Sequence, residues 1–229
     1  MLQQQQLLQR EEKTITLKGS AQIVVQFFNY GINSILYQRG LYPPEDFHME
    51  KKYGLNLLVT SHEVVQAYLS TILSQLDKWI VAKKISTLVL VISSKNTREV
   101  LERWSFDVRL ENSSITNEKN VPTTAAKSTS SLPSPPPAPS RTEKQTTQEI
   151  AAVMRQITAS VTFLPMLDEP CTFNVLAYTE KDAVVPAEWI DSDPRLIERQ
   201  AEQVKLRSFS TSVHRVDGLV AYKYVGDQL

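Results

Sequence analysis

The sequence predicts an α+β fold. Three observations carry it: apolar residues recur at three- and four-residue steps in three separate stretches, apolar and polar residues alternate in others, and helical and strand-like stretches are mixed along the chain. From Ser20 to Arg39, Ile23, Val24, Phe27, Phe28, Ile32, Ile35 and Leu36 form a wide apolar face, with Ser20 as the expected N-cap and Gly40 just past the end. Alternation over Phe47 and Met49, then Leu55, Leu57 and Val59, broken by Tyr53-Gly54, predicts a short hairpin, plain or bulged at the glycine. A second helix is expected from Thr60, which forms a capping box with Glu63, through Val64, Val65, Tyr68, Leu69, Ile72, Leu73, Leu76 and Trp79.

Leu88 to Ile92 is an unbroken aliphatic run, the pattern of a central strand covered on both faces. Val100 to Leu110 alternates, with Trp104, Phe106, Val108 and Leu110 facing a core. A third helix is expected over roughly Thr142 to Val161, then a strand from Thr172 to Thr179 that turns Phe173, Val175 and Ala177 to one face. Two strand-like runs, Val204 to Val213 and Leu219 to Val225, flank Asp217-Gly218, a dipeptide suited to a tight hairpin turn. The connector that precedes them, holding Pro186, Trp189 and Pro194, reads as a surface loop or as a strap with a function.

The 229 residues suffice for one sizeable domain with appendages. Twenty-five basic residues balance twenty-five acidic ones, so no global field favours nucleic acid, and a protein partner is the expectation. No apolar run approaches the length of a bilayer span, so no membrane role is expected, and one cysteine, Cys171, excludes an internal disulfide. Between Val121 and Ser140, fourteen of twenty residues are Pro, Ser or Thr, too little apolar surface to offset the entropy of ordering. Its run Leu132 to Ser140 is a linker or an extended ligand for an aromatic groove.

Chemical signatures are sparse. Six scattered glycines make no phosphate loop, no G-x-S-x-G turn is present, and His48, His62 and His214 stand too far apart for paired metal ligands, each reading as a surface or partly buried side chain. No cofactor and no metal are implied. Cys171 reads as a small buried hydrophobe. On the third helix Ile150, Val153, Met154, Ile157, Val161 and Leu164 share a core stripe, whereas Arg155, Gln156 and, if the helix extends so far, Phe163 lie on the opposite side. An exposed Phe beside an Arg suits an interface anchor; the alternative is a solvated face with a Phe that turns inward before Pro165.

The stretches Gly31 to Gly40 (GINSILYQRG), Tyr53 to Leu55 (YGL), Leu101 to Asp107 (LERWSFD), Arg155 to Ala159 (RQITA), Val161 to Pro165 (VTFLP), Val185-Pro186 and Leu206 to Phe209 (LRSF) resemble the HORMA-domain family of spindle assembly checkpoint proteins over about residues 13 to 225. The resemblance implies three helices packed on a mainly antiparallel sheet with a mobile C-terminal hairpin, the safety belt. It implies a flexible tail over residues 1–12 and a HORMA domain over 13–229, with an insertion at 111–141 and the belt at 180–229.

It further implies a switch between open and closed states that is not an enzyme. The closed state captures a peptide of the activator of the anaphase-promoting complex, or of a coiled-coil checkpoint partner at kinetochores, and anaphase is delayed. The expected location is the nucleus and kinetochore, and also the cytoplasm. The ligand strand would add to the edge formed by Thr172, Phe173, Asn174, Val175, Leu176, Ala177 and Tyr178, under a belt carrying Trp189, Leu206, Phe209, Val213, Leu219 and Tyr222. Arg155, Gln156 and Phe163 would join an open to a closed copy. In the closed state the terminal hairpin would pair beside Val100 to Val108, and a turn at Asp217-Gly218 would favour it. Trp104 would lie near the strap or in the core. The alternatives are a HORMA adaptor of another complex, such as the translesion DNA polymerase, and a hydrolase with an unrecognised site.

Overall fold

A computed structural model describes residues 15–111, 142–197 and 199–224. The N-terminal tail, the insertion beyond Glu111 and the end of the expected last strand lie outside them. Helix α1 (Leu17–Gln38) begins one turn earlier than its apolar pattern suggested. Thr16, not Ser20, is its N-cap, accepting the Gly19 N–H at 3.1 Å. Ser20 is buried inside the helix, its Oγ 2.6 Å from both Thr211 Oγ1 and His214 Nδ1. A distant partner thus claims the hydroxyl that local preference assigns to a cap.

Strands β1 (Phe47–Lys52) and β2 (Leu55–Thr60) pair without a break from Phe47↔Thr60 to Lys52↔Leu55, so the hairpin carries no bulge. Tyr53 and Gly54 close it with φ of 52° and 70°, the pair of positive values that a two-residue turn matched to strand twist requires. Helix α2 (Glu63–Val81) starts after His62, and Thr60 is not its cap but the last residue of β2. Thr60 is nevertheless spent on the corner: its Oγ1 accepts the His62 N–H at 3.1 Å, and its carbonyl accepts Gln66 Nε2 at 2.7 Å.

Strand β3 (Ile85–Ser94) is buried on both faces from Leu88 to Ser94, and β4 (Val100–Leu110) pairs with it. Helix α3 (Glu143–Ala159) opens on a full capping box between Thr142 and Gln145. It stops at Ala159 in a 3-10 turn, so Val161 leaves the expected core stripe and is 44% exposed, whereas Leu164 stays buried.

Strands β5 (Cys171–Thr179), β6 (Ala201–Lys205), β7 (Phe209–Ser210) and β8 (His214–Lys223) complete an antiparallel sheet of order β5-β3-β4-β8-β6, with β7 beside β8. The terminal hairpin exists, but Asp217-Gly218 is not its turn. Those residues lie in mid-β8, opposite Asp107 and Phe106. The chain reverses instead at Thr211 to His214, where the Thr211 N–H meets the His214 carbonyl at 2.7 Å and Thr211 Oγ1 accepts the His214 N–H at 2.8 Å. Gly218 serves close packing: a Cβ there would lie 3.1 Å from Leu206 Cβ and Cδ1, and its carbonyl accepts the Leu206 N–H at 2.9 Å.

The helices cover one face of the sheet around Phe27, Phe28, Phe106 and Phe209, the Phe27 and Phe209 rings meeting at 4.7 Å. Trp104 is fully buried in that core, and its Nε1 donates to Glu102 Oε2 at 3.0 Å. Glu102 pairs in turn with buried Arg39 at 2.5 Å, and Arg39 also donates to the Pro165 carbonyl. Removing one partner of such a pair leaves a buried unpaired charge, a loss of about 3–5 kcal/mol. This pair therefore fixes the end of α1 and the segment after α3 to the middle of the sheet.

Candidate functional site

The outer edge of β5 is unpaired among the described residues, because β5 ends the sheet order. The chain that follows it wraps that edge. It leaves along the helix side: the Glu180 N–H donates to the Lys84 carbonyl at 2.9 Å, and Trp79 Nε1 on α2 donates to the Val184 carbonyl at 3.0 Å. The Trp79 and Trp189 rings meet edge-on at 4.9 Å. The strap then crosses to the opposite face, where the Pro194 carbonyl accepts Arg103 Nε at 3.3 Å and the Tyr178 hydroxyl at 3.4 Å. Ile197 packs on an apolar patch of Val89, Val91, Val100 and Leu176, and β6 fixes the strap to the far edge of the sheet on β8.

Between strap and edge lies a cleft of about 510 Å³, walled by Tyr68 and Ile72 of α2, Val175 of β5, and Trp189, Ile190 and Arg195 of the strap. The lining is mainly apolar, with Asn174, Glu188, Ser192 and Arg195 among its polar members. Tyr68 OH receives the Val175 N–H at 3.4 Å, and burial pushes its pKa above the ordinary 10, so the hydroxyl keeps its proton. Its ring meets Phe173 edge-on at 5.6 Å, and Phe173 meets Tyr42 at 6.3 Å.

The expected edge residues run together along one strand. Phe173, Val175 and Ala177 belong to the helix-side core, whereas Leu176 packs on the opposite face and Tyr178 bonds the strap there. Asn174 borders the cleft, and Thr172 pairs with Ser93 near the start of β5. Cys171 opens β5 half-buried, its thiol donating to the Glu169 carbonyl at 3.2 Å and pushed up in pKa by burial.

The expected belt residues hold two regions rather than one. Trp189 lies at the cleft, but Leu206, Phe209 and Tyr222 are buried in the helix-side core, where β6, β7 and β8 pair. Leu219 is paired with Ser105, and the Val213 carbonyl accepts the Glu111 N–H at 2.9 Å. Of the expected interface residues, Arg155 is solvent-exposed. Gln156 is not a free polar side chain: Oε1 accepts the Arg207 N–H at 2.7 Å and Nε2 donates to the Lys205 carbonyl at 3.4 Å. Phe163 is 37% exposed and lies 6.3 Å from the Tyr222 ring. Gln156 and Phe163 therefore border the docked terminal hairpin, whereas Arg155 makes no hydrogen bond or ion pair to its described residues.

His214 is more deeply buried than the surface or partly buried place expected of it. It is buried beside Ser20, and burial, with a smaller contribution from Lys83, holds its pKa below the ordinary 6.5. Tyr68 and Trp79 have parts in the site that their periodicity does not disclose, since both fall on the apolar stripe of α2. A buried indole N–H needs an acceptor, and that was the available signal for Trp79. Among the described residues no three His, Cys, Asp or Glu side chains group to hold a metal, and no helix is long and apolar enough to cross a membrane.

The HORMA domain profile matches residues 20–214. The mitotic spindle checkpoint component mad2 of Schizosaccharomyces pombe is 50% identical over 213 residues, covering 91% of this chain and 94% of that protein. This chain belongs to the HORMA family of mitotic spindle checkpoint proteins. The human mitotic spindle assembly checkpoint protein MAD2A is 46% identical over 93% of this HORMA chain and 94% of its own length. A chain in a crystal structure of the mitotic checkpoint complex superposes with a TM-score of 0.75 at 48% identity, covering 90% of this chain and 99% of that one. HTP-1 of C. elegans, solved bound to the HIM-3 closure motif, shares the fold at 13% identity and a TM-score of 0.68, over 91% of this chain and 92% of that one. DNA polymerase zeta subunit 2 of Drosophila melanogaster is 26% identical over only 44% of this chain, so the checkpoint reading is favoured over the translesion one. This HORMA chain is a spindle assembly checkpoint component.

Proposed function

We propose that the protein is a non-catalytic conformational switch that entraps an extended peptide between the β5 edge and its own strap. The ligands are a segment of the activator of the anaphase-promoting complex and, at kinetochores, a segment of a coiled-coil checkpoint partner; capture of the activator delays anaphase. The observation that carries this reading is the path of the strap, which passes from Trp79 on the helix side to Arg103 on the outer side around an edge that no strand among the described residues occupies. A peptide added there gains backbone pairing with modest demands on sequence, and leaves only when the strap opens.

Thr172 to Tyr178 form the ligand edge, and residues 180–229 the belt, of a domain spanning 13–229. Residues 1–12 and 111–141 serve as tail and linker. Arg155, Gln156 and Phe163 form the surface on which an open copy meets a closed one; the contacts of Gln156 and Phe163 with the docked hairpin make that surface dependent on closure. The protein works in the nucleus and at kinetochores, and in the cytoplasm.

The test mixes purified protein with a fluorescein-labelled activator peptide. A complex persisting through gel filtration, with the C-terminal segment resistant to protease, is the expected result. Rapid dissociation, or a residence time unaltered by truncation before Ala201, contradicts the reading.

A further inference from the structure

We propose that Tyr68 is a placeholder for the captured strand: its hydroxyl holds the backbone position at Val175 that a carbonyl of the incoming peptide takes, and capture proceeds by exchanging one for the other. The proposal rests on the strand-capture reading above.

Val175 stands opposite Leu90 in the antiparallel β3/β5 pair. In such a pair, alternate residues direct both backbone groups away from the partner strand. The Val175 N–H is one of these, since it points across the cleft to Tyr68. Val175 is only 7% exposed, so bulk water does not serve that N–H well, and an unmet buried donor is costly. Tyr68 supplies the acceptor. At 3.4 Å the bond is longer than the usual ladder bond of about 2.9–3.0 Å, so a peptide carbonyl at ladder distance outcompetes it.

A tyrosine filling only a structural place would keep its hydroxyl in water, which is available here because Tyr68 is 38% exposed. Its hydroxyl faces the strand edge instead. The ring and the hydroxyl then have separate tasks. The ring, fixed edge-on against Phe173, remains an apolar wall for the ligand, while the hydroxyl guards one hydrogen-bonding position until the ligand arrives.

Tyr68→Phe separates the two, because it keeps the ring and removes the acceptor. Hydrogen exchange at the Val175 amide of the peptide-free closed protein should quicken by about 2- to 10-fold, the span of one neutral hydrogen bond. Stopped-flow association of the fluorescein-labelled activator peptide should quicken over the same range, with dissociation unchanged. Unchanged Val175 exchange overturns the placeholder role. Slower capture also overturns it, and makes the hydroxyl a contact to the ligand. Should the unsubstituted protein fail to retain the peptide at all, the strand-capture reading falls, and the placeholder role falls with it.

Discussion

The Gln156 side chain holds the Arg207 N–H at 2.7 Å and reaches back to the Lys205 carbonyl, so one amide on α3 bridges the chain two residues apart as a neighbouring strand would. Nearby, Thr146 Oγ1 donates to the Ser210 carbonyl and Glu149 Oε2 accepts the Ser210 N–H, both at 2.9 Å. Helix α3 thus stitches the segment from the end of β6 through β7 to the body of the domain. The resemblance assigns this same Gln156 to the contact between copies.

Gln156→Ala should therefore weaken two things at once. Loss of the bridge is expected to loosen the segment by about 1 kcal/mol, seen as roughly 5-fold faster amide exchange at Arg207, and to lower the affinity between open and closed copies. Arg155→Glu, which touches none of the segment, should reduce the self-dimer while leaving Arg207 exchange unchanged. Equal exchange in both variants would show that the bridge contributes nothing.

Gly218→Val should raise the open fraction, for a steric reason and not through a turn. The new side chain begins 3.1 Å from Leu206 Cβ and Cδ1 and 3.4 Å from Phe106 Cδ1, in a core already filled. Overpacking of this kind costs about 1–3 kcal/mol, charged only to the arrangement that places β8 beside β4. Ion-exchange separation of the two monomer forms reads the ratio, with Gly218→Ala shifting it less. A ratio unmoved by valine contradicts the packing argument.

His214 should make the docked hairpin sensitive to mild acid. Its folded pKa is depressed below 6.5, so the unfolded chain takes up the proton first. The stabilisation is complete above about pH 6.5 and is lost as pH falls from there through the folded pKa. Thermal melts between about pH 7.5 and 5.5 should show a falling midpoint that flattens in His214→Asn. An equal slope in both proteins would place the sensitivity elsewhere.

Much of the architecture was readable from local pattern. The three helices, the Tyr53-Gly54 turn, the buried run of β3 and the alternation of β5 were all legible, because each reports a period of 3.6 or 2 or a backbone that only certain residues adopt. The errors share a cause. Ser20, Thr60 and Asp217-Gly218 each have residue types favoured at a cap or turn, and each is used by a partner distant in sequence: Thr211 and His214 for Ser20, Asn33 and Asp46 for Thr60, Leu206 for Gly218.

The candidate site divides in the same way. Periodicity placed Phe173, Val175 and Ala177 on one face of a strand, and a twenty-four-residue connector with few signals after it invited the idea of a strap. It was silent on Tyr68 and Trp79, because a helical stripe tells which face is covered and not what covers it. By itself, then, the sequence determined the elements and their buried faces, through the geometry of helix and strand. Only the tertiary structure decided that β5 ends the sheet among the described residues, that the connector passes around it, and that the last hairpin docks beside β4. Those outcomes depend on pairing between segments far apart in the chain, where the deciding energy belongs to the contact and to neither segment alone.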